Sequence, residues 1–367
     1  IDKKYKEKKI GINFEKKIVK YLKSSTNPIF LLGAGFARSS KISVNLNLLN
    51  RLNMPVGLSW GAQEISRKVV KSIGIFGDHS PGFANEYIKN SNFLICLGVS
   101  LLQHQVGSLQ KNFAPKAKII FVNNNINECK RAKKQFGSRL EYYNTDIHSF
   151  ILSLNKKKIT IMNNNFTEVD EEKYLKKQNT PVKILKSIIE KIDPKNSIIF
   201  SDAGATLSWT YQASNLIKNC ASVFTAFNLH PMGYANCAAI GAAVALKKKI
   251  YVIIGDGSIP MNSQELSWAK KFDIKFIVID NKGYAVIRQT QKQFYKSLFL
   301  GSDFKNKKSS LPYFSIQKIF KSFDIITKLA NSKFLKLNQI KSFIQNKKSV
   351  ALIINIKYSE IINTNKY

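Results

Sequence analysis

Acidic side chains and arginine are both scarce in this 367-residue chain. Lys and Arg together number 58 against 23 Asp and Glu, a formal net charge of +35. Such a surplus invites a nucleic-acid reading. Yet arginine occurs only at Arg38, Arg51, Arg67, Arg131, Arg139 and Arg288, and base-reading proteins favour arginine for its bidentate fork. The lysines are spread along the whole chain instead of forming one block, and Asn and Ile are abundant too. An AT-rich coding sequence would produce the same bias. The expectation is a solvated lysine-rich surface with no nucleic-acid partner.

Cysteine is equally sparse. Cys96, Cys129, Cys220 and Cys237 include no CxxC pair, so zinc and thioredoxin-type chemistry have no support. Cys96 in FLICLG and Cys237 in an alanine-rich helix read as small buried hydrophobes, which fits a reducing cytoplasm. The four histidines are scattered without metal-ligand spacing. No apolar run reaches the ~18 residues of a membrane span, so no membrane partner is expected. The first residues, Ile1-Asp2-Lys3-Lys4, carry no signal-peptide pattern. The absence of an initiating Met hints at a fragment.

What is present is an ordinary globular composition, 44% hydrophobic, in a chain too long for one core. Two α/β segments are visible. In the first, from about Asn13 to Asn155, the amphipathic stretch FEKKIVKYL leads into NPIFLLGAG, an apolar strand ending in a glycine turn. FLICLG and KIIFVN are further strands, NINECKRAKKQF a helix, and DIHSFILSL the last helix. A polar, aperiodic linker follows, and Thr180-Pro181 starts a helix with an N-cap and a proline in the first turn. SIIFSDAG, SVFTAF, IYVIIGDG, FIVIDN and SVALIINI are the strands of the second segment. Strand alternating with helix means an α/β fold of doubly wound parallel sheets with helices on both faces. The boundaries expected are 1–157 for a first domain, 158–179 for the linker and 180–367 for a second domain.

IIGDGSIPMNSQELSWAKKFDIKFIVIDNKGY places polar residues where two apolar strands stop. Asn262, with Glu265 three residues on, reads as a capping box for a helix to about Phe272. In β-α-β units ligands sit beyond the carboxyl ends of the strands, where Asp256 and Asn281 would be neighbours. A carboxylate, an amide oxygen and a loop carbonyl are hard donors that suit Mg²⁺. Gly257 and Ser258 would let backbone N–H groups and a hydroxyl approach a diphosphate, helped by the helix dipole. On these residues alone, a pair of turn residues capping strands explains the pattern as well.

GDGS, NSQEL and IDNKGY together resemble the GDG…N signature of thiamine-diphosphate enzymes, in particular the acetolactate synthase-like branch. That branch commonly reads GDGSF-MN-QEL, then LNN, then RQ. This chain has Gly255-Asp256-Gly257-Ser258, Met261-Asn262, Gln264-Glu265-Leu266, Asn281 and Arg288-Gln289, with Asp280 in place of the first Asn. The resemblance implies Mg²⁺ ligation by Asp256, Asn281 and the Gly283 carbonyl, with Gly255, Gly257, Ser258 and Tyr284 at the cofactor. SDAGATLSW resembles the diphosphate-side loop, which implies cofactor contact by Gly204, Ala205 and Thr206. HPMGYANCAAIGAAVA resembles MGYGLPAAIGAAVA. It implies that Met232, a residue that read alone would be core filler, wedges beneath the cofactor and bends it, the one catalytic role assigned within this chain.

RLNMPVGLSWGAQEIS, GIFGDHSPGFANEYIKNSNFLICLG and AKIIFVNNN resemble the Rossmann-like central domain of the same enzymes, which in some members holds FAD. The usual acidic strand end reads Asn123-Asn124-Asn125 here, and Gly33 to Gly35 is too short to argue dinucleotide binding alone, so a structural central domain is expected over an FAD site. The resemblance runs from about Gly11 to Tyr358. It implies a pyrimidine-binding domain that is not in this sequence and carries an activating glutamate. It further implies a homodimer or homotetramer, a possible regulatory subunit, and a 2-oxo acid substrate such as pyruvate, decarboxylated and joined to a second carbonyl. This polypeptide by itself is then expected to bind cofactor weakly and turn nothing over. Arg288-Gln289-Thr290-Gln291 stands where acetolactate synthases read RQWQ, and GATLSW where they read GQHQMW. Both departures suggest another acceptor, for example a keto-sugar in surface-polysaccharide synthesis, or a non-catalytic relative.

Overall fold

A computed structural model describes residues 12–155, 166, 170–304, 311–312, 314–332 and 335–363. Contacts divide the chain into two compact units, Ile1–Asp170 with Asn365–Tyr367, and Glu171–Thr364. Most of the segment 158–169, where the linker is expected, lies outside the described residues. Its continuation is a helix, Glu171–Lys176, with Tyr174 buried, acidic residues in its first turn and lysines in its last.

The first unit holds β1 (Pro28–Leu32), β2 (Val56–Leu58), β3 (Ser72–Ile75), β4 (Phe93–Leu97), β5 (Lys118–Val122) and β6 (Leu140–Tyr143), in the order β3-β2-β1-β4-β5-β6, all parallel. Every residue of β1 and β4 is buried, as expected of strands covered on both faces. Helices Ile12–Ser24 and Ile147–Asn155 confirm the expected first and last helices within a residue or two. Asn125 caps helix Ile126–Phe136 by accepting from the Asn127 N–H at 2.9 Å. Of the strands, β2, β3 and β6 are absent from the sequence reading. β2 has three residues, β3 reads SIGI with a glycine inside, and β6 is an edge strand with three of its four residues half-exposed.

Strand order reverses between β1 and β4, the position where open α/β sheets hold ligands. Here the glycine turn after β1 lies on the turn after β4. The Gly33 N–H donates to Leu97 O at 3.0 Å and the Gly35 N–H to Gly98 O at 3.1 Å. A Cβ on Gly33 would lie 2.0 Å from the Gly98 oxygen, so only glycine permits the contact. Both amides thus serve a neighbouring carbonyl, and Asn125, in the Asn123-Asn124-Asn125 segment, caps a helix.

At the rim of this unit His104 Nδ1 lies 3.2 Å from Asp78 Oδ2. The hydrogen bond to Asp78 raises the His104 pKa above its ordinary 6.5, against the opposing effect of burial. A raised folded-state value gives stability that is complete below 6.5 and is lost as pH rises through the raised value. The expected result in an NMR titration is a His104 midpoint above 6.5 that drops in Asp78→Asn. An unchanged midpoint in the variant would show the pair to be idle.

The second unit holds β7 (Ser197–Ser201), β8 (Ser222–Phe224), β9 (Lys249–Gly255), β10 (Ile274–Asp280), β11 (Ile326–Asn331) and β12 (Val350–Asn355), in the order β11-β12-β10-β9-β7-β8, again all parallel. The central strands β7 and β10 are buried throughout, and side chains such as Ile250, Val252, Phe276, Val278 and Ile353 form the core with Ala235, Ala239 and Phe320 from flanking helices. β11 was not legible beforehand, because ITKLAN lies at the sheet edge with one of its six residues buried.

Local details correct three expectations. The helix Thr180–Ile189 is capped by Asn179, whose side chain accepts from the Val182 N–H, so Thr180 is its first residue and not its cap. No regular helix starts at Asn262. The chain enters tight 3-10 turns directly at Asp256, kinks at Asn262 (φ −137°, ψ 42°) and is α-helical only over Leu266–Ala269. Pro260, the fifth residue of these turns, has no N–H for the i→i−4 bond that would continue them as an α-helix. Cys237 is exposed, whereas Cys96, Cys129 and Cys220 are buried. Helix Tyr234–Ala245 is apolar on every side, and its buried residues are Ala235, Asn236 and Ala239. Periodicity therefore could not tell which face turned inward. No described helix is long and apolar enough to cross a membrane.

Candidate functional site

β7, β9 and β10 are adjacent and end on the same side of the sheet. Their loops enclose a cavity of about 380 Å³. Gly204, Ala205, Thr206, Met232, Gly255, Asp256, Gly257, Ser258, Asn281, Gly283 and Tyr284 all line it. The eleven residues that the resemblance assigns to the cofactor and metal thus line one cavity. Trp209 and His230 line it too and were missed. Trp209 lies three and four positions beyond Thr206 and Ala205, on the same helix face, so spacing alone could have found it. His230 carries no such signal. It sits in a left-handed conformation (φ 48°, ψ 43°) two residues before Met232.

The oxygen-rich end of the cavity is built on Asp256. Its Oδ1 accepts from the Gly257 N–H at 2.8 Å and its Oδ2 from the Gly283 N–H at 2.9 Å, so one carboxylate joins the loops after β9 and β10. One end of the Asn281 side-chain amide lies 3.2 Å from Asp256 Oδ1 and 2.7 Å from the Gly283 carbonyl oxygen; the other lies 3.3 Å from Arg288 Nη2. With nitrogen inward, the amide donates to both oxygens and accepts from Arg288. With oxygen inward, three oxygens surround one point, and their repulsion calls for a cation. Burial, and then the neighbouring Asp280 carboxylate, push the Asp256 pKa up, a shift that a bound cation would reverse. Asp280 in turn is ion-paired with Lys282. Among the described residues no group of three or more His, Cys, Asp or Glu is placed to hold a metal. The fit therefore rests on one carboxylate, one amide and one carbonyl, a set that suits Mg²⁺.

Helix Ala205–Ser214, on the same cavity, begins at Gly204 and every residue of it is buried. Two hydroxyls of the lining are engaged by the protein. Thr206 Oγ1 donates to the Ala203 carbonyl at 2.8 Å, and the Ser258 hydroxyl donates to Asp202. The donors left for an anion are therefore backbone N–H groups at a helix N-terminus, which lack intrahelical acceptors and carry the positive end of the dipole.

Comparison with known proteins finds two family matches and several relatives. Residues 202–354 match the family described as thiamine pyrophosphate enzyme, C-terminal TPP binding domain, and residues 16–138 match thiamine pyrophosphate enzyme, central domain. The probable acetolactate synthase large subunit of Methanococcus aeolicus is 28% identical over 313 residues, covering 76% of this chain and 51% of that protein. That of Methanocaldococcus jannaschii is 28% identical over 314 residues, covering 79% and 52%. The chain spans about half the length of the curated relatives it matches. Among solved structures, benzoylformate decarboxylase from Polynucleobacter necessarius superposes with a TM-score of 0.71 at 15% identity, covering 98% of this chain and 67% of that one, which is a likeness of fold.

Proposed function

Since this chain belongs to the thiamine pyrophosphate enzymes, of which it holds the central and C-terminal domains, we propose that its cavity binds thiamine diphosphate through Mg²⁺. We propose further that the whole protein decarboxylates a 2-oxo acid, pyruvate in the first instance, and joins the remaining fragment to a second carbonyl. The observation that carries this reading is the convergence of Asp256, the Asn281 amide and the Gly283 carbonyl at the strand ends, in a cavity that a helix N-terminus also lines.

In this reading Asp256, Asn281 and Gly283 hold the metal. The backbone of Gly204, Ala205, Thr206, Gly257 and Ser258 receives the diphosphate. Met232, half-buried on the cavity wall, bends the cofactor. Gly255 and Tyr284 shape the wall between them. When bound, thiamine diphosphate supplies an electron sink for the pair released as CO₂ departs. The protein's share is to anchor, orient and exclude water. Assembly as a homodimer belongs to the same proposal. Thr290, where acetolactate synthases carry tryptophan, favours an acceptor other than a second pyruvate, and a keto-sugar is the alternative.

The test is calorimetric titration of this chain with thiamine diphosphate, with and without Mg²⁺. Heat of binding is expected only with the metal present. Binding indifferent to Mg²⁺, or none at millimolar ligand, would remove the proposal.

A further inference from the structure

Asp202 immediately follows β7, is fully buried, and has no role in the reading above. Its Oδ1 accepts from the Ala203 N–H at 2.8 Å and the Gly233 N–H at 3.1 Å; its Oδ2 accepts from the Ala235 N–H at 2.9 Å. The Ser258 hydroxyl also donates to it. Its own N–H donates to Ile253 O on β9 at 2.9 Å. Three separate stretches therefore meet on one carboxylate: the loop entering helix Ala205–Ser214, the turn carrying Met232, and the turn after β9.

A buried carboxylate is costly unless its lone pairs are filled. Burial does push the Asp202 pKa up, and the four donors oppose that shift. Among neutral side chains none offers two oxygens to receive donors from three directions. The Met232 turn is held from its other side as well. Gly233 is left-handed (φ 84°), and a Cβ there would lie 2.6 Å from Asn262 Nδ2 and 3.0 Å from Met261 Cβ. The turn is thus fixed between Asp202 and the Met261-Asn262 kink.

We propose that Asp202 is a positioning residue that sets the height of Met232 above the diphosphate loop, so that the middle of the cofactor and not only its anionic end is recognised. This rests on the cofactor reading above. A merely structural Asp202 would affect all ligands of the cavity alike, whereas a positioning role affects those that reach Met232.

The experiment compares two probes, thiamine diphosphate and inorganic pyrophosphate, each with Mg²⁺, by calorimetry on the full chain. Asp202→Asn keeps the shape but turns an NH₂ toward a backbone N–H. Thiamine diphosphate affinity is expected to fall about tenfold and pyrophosphate affinity less than about threefold. Met232→Ala should lower the same ratio, and adding Asp202→Asn to it should change the ratio little further. Parallel losses for both probes, or full additivity of the two substitutions, would overturn the proposal. If the unaltered chain binds pyrophosphate with no preference for thiamine diphosphate, the cofactor reading fails and the positioning role with it. Should Asp202→Asn not fold, amide hydrogen exchange of the unaltered chain decides: Gly233 and Ala235 are expected to be protected, and rapid exchange at both would exclude the clasp.

Discussion

Asp256→Ala is expected to lower the Mg²⁺-dependent affinity for thiamine diphosphate about a hundredfold or more. Of the three groups converging on the proposed metal position, only Asp256 carries charge, and it also receives the Gly257 and Gly283 N–H groups that set the two loops. The ligand-free chain should respond differently. Burial and the Asp280 carboxylate raise the Asp256 pKa, so its ionised form is the disfavoured one in the fold. That contribution to stability is complete at low pH and is lost as pH rises through the raised value. The alanine variant lacks this slope, so the two chains should converge or cross as pH increases. Calorimetry for binding and thermal unfolding across pH for stability separate the effects. A variant that unfolds in parallel with its loss of binding would make Asp256 a structural residue.

The second large effect falls on Arg288. This buried guanidinium donates from Nη2 to Tyr358 O at 3.0 Å and Asn281 O at 3.3 Å, and from Nη1 to Lys282 O at 3.4 Å. It also lies 3.8 Å from the centre of the Tyr358 ring, whose hydroxyl donates to Asp303 Oδ2 at 2.6 Å. The loop 281–283 is thus braced from behind by a fork that faces several carbonyls at once. Arg288→Met leaves those acceptors without it and is expected to cost about 3–4 kcal/mol. Urea unfolding followed by Trp209 fluorescence, with Trp60 and Trp268 replaced by Phe, reads this out. Arg288→Lys keeps the charge but not the planar fork and should recover less than half of the loss. Full recovery by lysine would show that charge alone matters.

Most of the strands that could be read from sequence are buried ones. β1, β4, β5, β7, β9, β10 and β12 are apolar runs covered on both faces, while β8 was read although it lies at an edge. β6 and β11 lie at sheet edges, where exposure dilutes the pattern, β3 is interrupted by Gly74, and β2 is only three residues long. The adjacency of Asp256 and Asn281 was legible for a related reason. A carboxylate and an amide at the ends of two such runs must lie side by side in a parallel sheet. Gly283, Met232 and the Gly204–Thr206 loop came from the resemblance and not from spacing, and the structure brings them to the same cavity. Asp202 was not legible, since its meaning lies in contacts with residues 233, 235 and 258, which no local pattern encodes. The face of helix Tyr234–Ala245 was likewise hidden by its uniform apolarity.

The meeting of Gly33 with Gly98 in the first unit has a mechanical consequence. At the seam where one half of that sheet is stitched to the other, main chain presses on main chain with no side chain as cushion. Even a single added methyl group must prise β1 away from β4. Gly33→Ala is therefore expected to strain the whole first unit and not only the turn that carries it.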